Sequence, residues 1–263
     1  MKNVLSFIRT IIILSAVAIL SSCGLDELIG IKGSGPVVSR EIETGKVTGI
    51  LLEIPATVYL TRGDVQKMTI DAQENIQSNI EYYNSNGILR LGYIQPVLKS
   101  EPVIVYLTLQ SITEIKNTGS GSIQTTNGFE TNGQMKIEIS GSGDMELNAN
   151  AQSVVINIYG SGNLNLKSST KQVEGVINGS GDINLTAENV EWSTYKINGS
   201  GNINAFPTIS KSCYVETNGS GNVKVNVSEK LTVKIFGSGD VYYHRNPQVS
   251  ATINGSGHVL NAD

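Results

Sequence analysis

The chain has 263 residues, a formal net charge of -4, 39% hydrophobic residues and 28 glycines against 6 prolines. The glycine share exceeds the usual ~7% without a Gly-X-Y period, which excludes collagen, while the hydrophobic fraction is enough for a folded core. With only 19 Lys and Arg, scattered along the chain, there is no basic stripe for a phosphate backbone, so no nucleic-acid partner is expected.

In chain order, Lys2 and Arg9 precede an apolar run from Ile11 to Leu20, and Ser21 and Ser22 follow. This is the layout of a secretory signal over 1–22, and the run is shorter than the ~20 apolar residues of a spanning helix. Leu20-Ser21-Ser22-Cys23 resembles the lipobox of bacterial lipoproteins, which implies cleavage before Cys23 and lipidation of its thiol. Several acyl chains on one residue give a stable membrane anchor. Gly24 stands where enteric inner-membrane lipoproteins carry aspartate, so the expected place is the cell envelope, lipid-anchored in the outer membrane, with surface exposure and the inner leaflet both open. Residues 23–39 are then the lipidated cysteine and its tether.

The remainder, 40–263, is read as one β-solenoid domain. Its first part, 40–115, predicts strands over Thr48 to Thr61, Met68 to Ala72, Ile88 to Tyr93 and Val103 to Leu109, taken as irregular coils that also cap the body. Over 116–263 the triplet Gly-Ser-Gly recurs eight times, supplied by Gly119 and Gly121, Gly141 and Gly143, Gly160 and Gly162, Gly179 and Gly181, Gly199 and Gly201, Gly219 and Gly221, Gly237 and Gly239, and Gly255 and Gly257. Successive triplets start 22, 19, 19, 20, 20, 18 and 18 residues apart. A fixed period near 20 signals a repeat architecture.

Period-two alternation, as in Ile156-Asn157-Ile158 before one triplet and Leu164-Asn165-Leu166 after it, means half-buried strands flanking a glycine turn. Either the triplets are loops of an antiparallel meander, or they are one corner of a parallel coil of about 20 residues. The equivalent positions favour the coil. Asp144, Asn163, Asp182, Asn202, Asn222, Asp240 and His258 follow seven of the triplets, and Asn178, Asn198, Asn218 and Asn254 precede four. In a coil these stack ~4.8 Å apart and can form polar ladders. The uncovered final coil leaves an open strand edge, which invites end-to-end self-association.

Gly49-Ile50-Leu51-Leu52-Glu53-Ile54-Pro55-Ala56-Thr57-Val58-Tyr59-Leu60-Thr61-Arg62-Gly63-Asp64, the Gly87-Ile88-Leu89-Arg90-Leu91 strand and the triplet ladder together resemble the putative auto-transporter adhesin, head GIN domain family. The resemblance runs from about residue 40 to the end. It implies a right-handed parallel β-helix of pectin-lyase shape in an exported Bacteroidetes lipoprotein, with no defining catalytic residues.

Candidate chemistry is sparse. The triplets lack a following helix and a Lys-Ser/Thr pair, so they are turns rather than phosphate cradles. Only three of the ladder positions are acidic, too few for a calcium site wanting 6 to 8 oxygens; no metal or cofactor is expected. Asp240 and His258 could form an acid–base pair, with His244 nearby, but no third group or pocket joins them, so no catalytic residue is assigned. Cys213 is expected to be a buried, inert thiol. Trp192, Tyr159, Tyr195, Tyr214, Tyr242 and Tyr243 are candidates for stacking on sugars or for packing. The functional expectation is a non-catalytic adhesion or binding scaffold with a glycan or protein surface ligand; the alternative is a carbohydrate-binding or carbohydrate-active β-helix.

Overall fold

The structure, a computed structural model, describes residues 30–263. The signal segment and Cys23 lie outside the described residues. The chain is almost entirely β and winds as a solenoid of about 7 turns with about 20 residues per turn. Among the described residues no helix is long and apolar enough to cross a membrane.

Pairing settles the choice between meander and coil. Met145 pairs in parallel with Leu164, across the Gly160 triplet, and Leu164 with Ile183. Likewise Val154 pairs with Val173, and Val173 with Ser193, again in parallel. Every partner is one period away, so the triplets are corners and not hairpin loops. Each turn has two strands, one leaving the triplet and one approaching the next, joined at a second corner on the opposite edge. At that second corner no glycine is needed: Met145–Ile158, Ile203–Thr217 and Val223–Ile235 run through it as continuous strands.

Alternation along each strand places one side chain in two inside, and parallel register stacks these into columns. One column runs Leu91, Leu52, Asn117, Ile139, Ile158, Ile177, Ile197, Thr217 and Ile235, all fully buried. The facing column runs Val105, Val58, Ile123, Met145, Leu164, Ile183, Ile203, Val223 and Val241. β-branched and leucine side chains suit such stacking because each meets a like shape above and below.

The N-terminal part departs from simple winding. The layer of Gly49–Leu52 and Ala56–Arg62 lies between two others. The strands Glu114–Asn117 and Ser122–Thr125 cover it on one side, Ile88–Tyr93 and Val103–Leu109 on the other. Sequence order and spatial order therefore differ here. The expected strand from Thr48 to Thr61 is two strands, interrupted at Glu53-Ile54-Pro55, where the proline supplies no N–H to a ladder. The outer layer is closed by antiparallel partners: Lys67–Gln73 on Val103–Leu109, Val37–Ile42 on Lys67–Gln73, and Ile80–Ser85 on Ile88–Tyr93. The folded body thus begins before residue 40, since Ile31–Lys32 pairs with the strand Val97–Lys99 and Val37 opens a strand. Antiparallel closure blunts this end of the stack.

At the other end Gln248–Ile253 pairs with Val223–Ile235 alone among the described residues, and Val249 and Ile253 are 37% and 44% exposed. These two residues continue core columns whose preceding members, Leu231 and Ile235, are fully buried.

Candidate functional site

Two edges of the solenoid carry organised polar groups. On the first, each triplet has a constant burial pattern: in Gly160-Ser161-Gly162 and in the next four units, the first glycine is half-buried, the serine exposed and the second glycine buried. The backbone N–H of Ser161 donates to Gly141 O at 3.1 Å and that of Ser180 to Gly160 O at 3.0 Å, so coils are clipped together at this corner. A Cβ on Gly162 would overlap the carbonyl of Gly143, and one on Gly181 the carbonyl of Gly162. None of the triplet glycines has a positive φ. Close approach of stacked backbones, not a left-handed conformation, demands glycine here.

The residues flanking the triplets form two ladders. Asn163 N–H donates to Asp144 Oδ1 at 2.7 Å, Asp182 N–H to Asn163 Oδ1 at 3.0 Å, and Asn202 N–H to Asp182 Oδ1 at 2.7 Å. The chain continues through Asn222, Asp240 and His258 at 2.9, 2.8 and 2.8 Å. Aspartate and asparagine interchange because each offers Oδ1 to the next N–H, and where an asparagine follows an aspartate its Nδ2 donates back, as from Asn163 to Asp144 and from Asn202 to Asp182. Before the triplets, Asn198 Nδ2 donates to Asn178 Oδ1 at 2.7 Å and Asn218 Nδ2 to Asn198 Oδ1 at 2.8 Å. The ladder groups are engaged with one another, which describes a structural seam.

Asp240 and His258 are brought together, Nδ1 lying 3.2 Å from Oδ1. The backbone N–H of His258, then its ring, hold the Asp240 carboxyl below its ordinary range, helped by the Tyr242 hydroxyl. His244 is elsewhere, stacked on Phe206 with ring centroids 3.9 Å apart. Cys213 is buried against Ser193 and Tyr195, and burial pushes its thiol up to about 12, which leaves no thiolate for nucleophilic work at neutral pH. Tyr195 is fully buried as well and so is unavailable to a ligand. Tyr214 donates its hydroxyl to Glu216 at 2.5 Å, which raises the phenol to about 12 and lowers the carboxyl. Among the described residues no three His, Cys, Asp or Glu side chains converge on a metal-sized site.

The second edge holds a groove of about 870 Å³ that sequence reading missed. Its lining recurs once per coil: Glu130, then Asn150 to Gln152, Ser169 to Lys171, Asn189 to Glu191, Ile209 and Lys211, and Ser228. Asn150 Oδ1 accepts the Ser169 N–H at 2.7 Å while its Nδ2 donates to Glu130 at 2.9 Å, and Asn189 Nδ2 donates to Ser169 Oγ at 3.0 Å. The floor contributes only Ala151, Val190 and Ile209 as apolar residues, Ile209 being 46% exposed. Beside Ile209, Phe206-Pro207-Thr208 shifts the register between Ala205 and Ile209. No motif marked it, because its residues sit at the corner without a glycine signature and only the shared period aligns them.

The wider comparisons agree with this architecture. The chain resembles the solved structures of a putative adhesin from Parabacteroides distasonis ATCC 8503 (20% identity, TM-score 0.79) and a putative lipid binding protein from the same organism (23%, 0.82). It also resembles a putative adhesin from Parabacteroides merdae ATCC 43184 (22%, 0.77). Each match covers 89% of this chain and 99% or 100% of the other; at these identities the likeness concerns fold. No curated protein matches. The pattern of the family described as "Putative auto-transporter adhesin, head GIN domain" matches residues 47–210 and 186–247, and with the parallel coils and triplet seam in place, the chain belongs to that family.

Proposed function

We propose that the chain is a non-catalytic adhesion scaffold of the cell envelope, lipid-anchored at Cys23 in the outer membrane and facing outward. The observation that carries the reading is the division of labour between its parts. A continuous, mostly apolar core and a self-bonded triplet seam make a stiff rod, while the second edge presents a repeating polar surface. The family and its adhesin-named neighbours support an adhesion-like role at the cell surface or envelope.

The same reading includes contact between two copies through their last coils. The capped N-terminal layer offers no matching edge, so pairing joins like ends and closes as a two-fold dimer rather than a filament.

The test is expression of the full chain on a non-adherent bacterial host. The expected outcome is adhesion to surfaces that the empty host does not bind, loss of labelled-palmitate incorporation and of surface display on Cys23→Ser, and no release of sugar from any polysaccharide supplied. Absence of adhesion, or release of reducing ends, overturns the reading.

A further inference from the structure

Resting on the adhesion reading, we propose that the groove on the second edge is the recognition site, and that its ligand is an extended neutral polysaccharide lying along the solenoid axis. The groove crosses successive coils, so its polar groups repeat at a pitch of about 4.8 Å. Lys171, Glu191 and Lys211 occupy one column, since Trp192 is in register with both Gln172 and Ser212. Like charges therefore recur at about 10 Å, two coil steps, close to the length of two linked pyranose rings. A polymer with that repeat meets the second lysine two sugars after the first.

The chemistry of the lining selects the class. Among the described residues Lys171, Glu191 and Lys211 make no ion pair, so their donors and acceptors are available to the groove. Together with the Gln152 amide and the Ser169 hydroxyl, whose oxygen accepts from Asn189 while its proton stays available, they offer both donors and acceptors, as vicinal sugar hydroxyls require. Lys and Glu alternate along the column, so the field of each lysine is offset by a carboxylate, which disfavours a polyanion. Trp192 is outside the groove's lining but next in the chain to Glu191, and at 50% exposed it offers a flat apolar ring to a sugar that overhangs the groove. An extended peptide would pair its backbone with a free sheet edge, but the coil strands beside the groove are already paired on both sides. Three small or branched apolar residues in an open groove give an acyl chain too little enclosure.

Affinity electrophoresis of the full chain in mild detergent tests this, with gels holding soluble β-glucan, xylan, mannan or, separately, polygalacturonate. The expected result is retardation by at least one neutral polysaccharide, weakened at least tenfold when Glu191→Gln is combined with Trp192→Ala. Both side chains are exposed, so the double variant should melt at the unsubstituted temperature; if it does not, Glu191→Gln alone is used, with a weakening of about threefold or more expected of the single change. Retardation by none of the neutral polymers, by polygalacturonate alone, or undiminished in the variants overturns the inference. Host cells displaying the double variant that still adhere remove the groove's role and leave the adhesion reading standing; failure of the unsubstituted chain to adhere removes the reading itself.

Discussion

Glycine does two different jobs in this chain, and single substitutions separate them. In Gly181→Ala the new methyl meets the Gly162 carbonyl and, at 3.1 Å, Ile158 Cγ2, both held by paired strands; forcing coils apart costs about 1–3 kcal/mol, or a drop of several degrees in melting temperature. Gly133→Ala meets nothing within 4 Å, and a change within about 0.5 kcal/mol is expected. Thermal unfolding followed by circular dichroism checks the pair. Cys213 gives a second residue-scale prediction. With its thiol pushed up by burial, iodoacetamide at pH 8 should leave it unmodified in the native chain and alkylate it in denaturant, as read by peptide mass spectrometry. Native alkylation would show that the coil opens there.

Among the elements, the triplet corners depend on what their ladders bond. Asn117 sits in a column that is apolar but for it and Thr217, and its amide donates to Gly121 O at 2.7 Å and accepts the Gly119 N–H at 3.2 Å. Asn117→Ala leaves both backbone groups without that partner, at a cost of about 1–3 kcal/mol, measurable by urea denaturation. At the opposite end of the seam, Asp240 fastens the last coil through the His258 N–H. Its native pKa is depressed, mainly by that N–H. The stabilisation is therefore complete above the ordinary carboxylate range and is lost as the pH falls through the depressed native value. Amides of residues 255–261 should then exchange faster in acid, relative to their intrinsic rates, than amides of interior coils. Asp240→Asn should remove that dependence while keeping the coil, because Asn222 already performs the same acceptance one unit earlier. An unchanged acid response in the variant would assign the opening to another group.

For the whole molecule, stability should be graded along the axis. Interior coils have a layer on each side, whereas the strand Gln248–Ile253 has one partner and no buried residue. Hydrogen exchange is expected to be slowest over Leu164–Ile197 and fastest in the final coil. If two copies meet through their last coils, raising the concentration of the full chain in detergent should slow exchange in Gln248–Ile253 and raise the sedimenting mass to that of two chains. A constant monomer mass counts against the contact.

Much of this solenoid was legible because its information is local and repeated. The triplet period located one corner of every turn, the alternation of Ile156-Asn157-Ile158 located the inward faces, and the likeness of Asp144, Asn163 and Asp182 pointed to parallel stacking. The N-terminal layers were less so: nothing near Gly49 says that Ile88–Tyr93 and Glu114–Asn117 will lie on its two sides, since that arrangement rests on contacts up to 65 residues apart. The groove was not legible at all. Glu130, Asn150, Lys171 and Lys211 carry no shared motif, and they become one surface only when the coils stack. The sequence by itself determined the period, the inward faces and the positions where backbone must approach backbone, because those are set by side-chain size at each residue. The order of the N-terminal layers, the antiparallel cap and the polar groove were decided by tertiary structure, because each depends on which strand edges and corners meet once the others have paired.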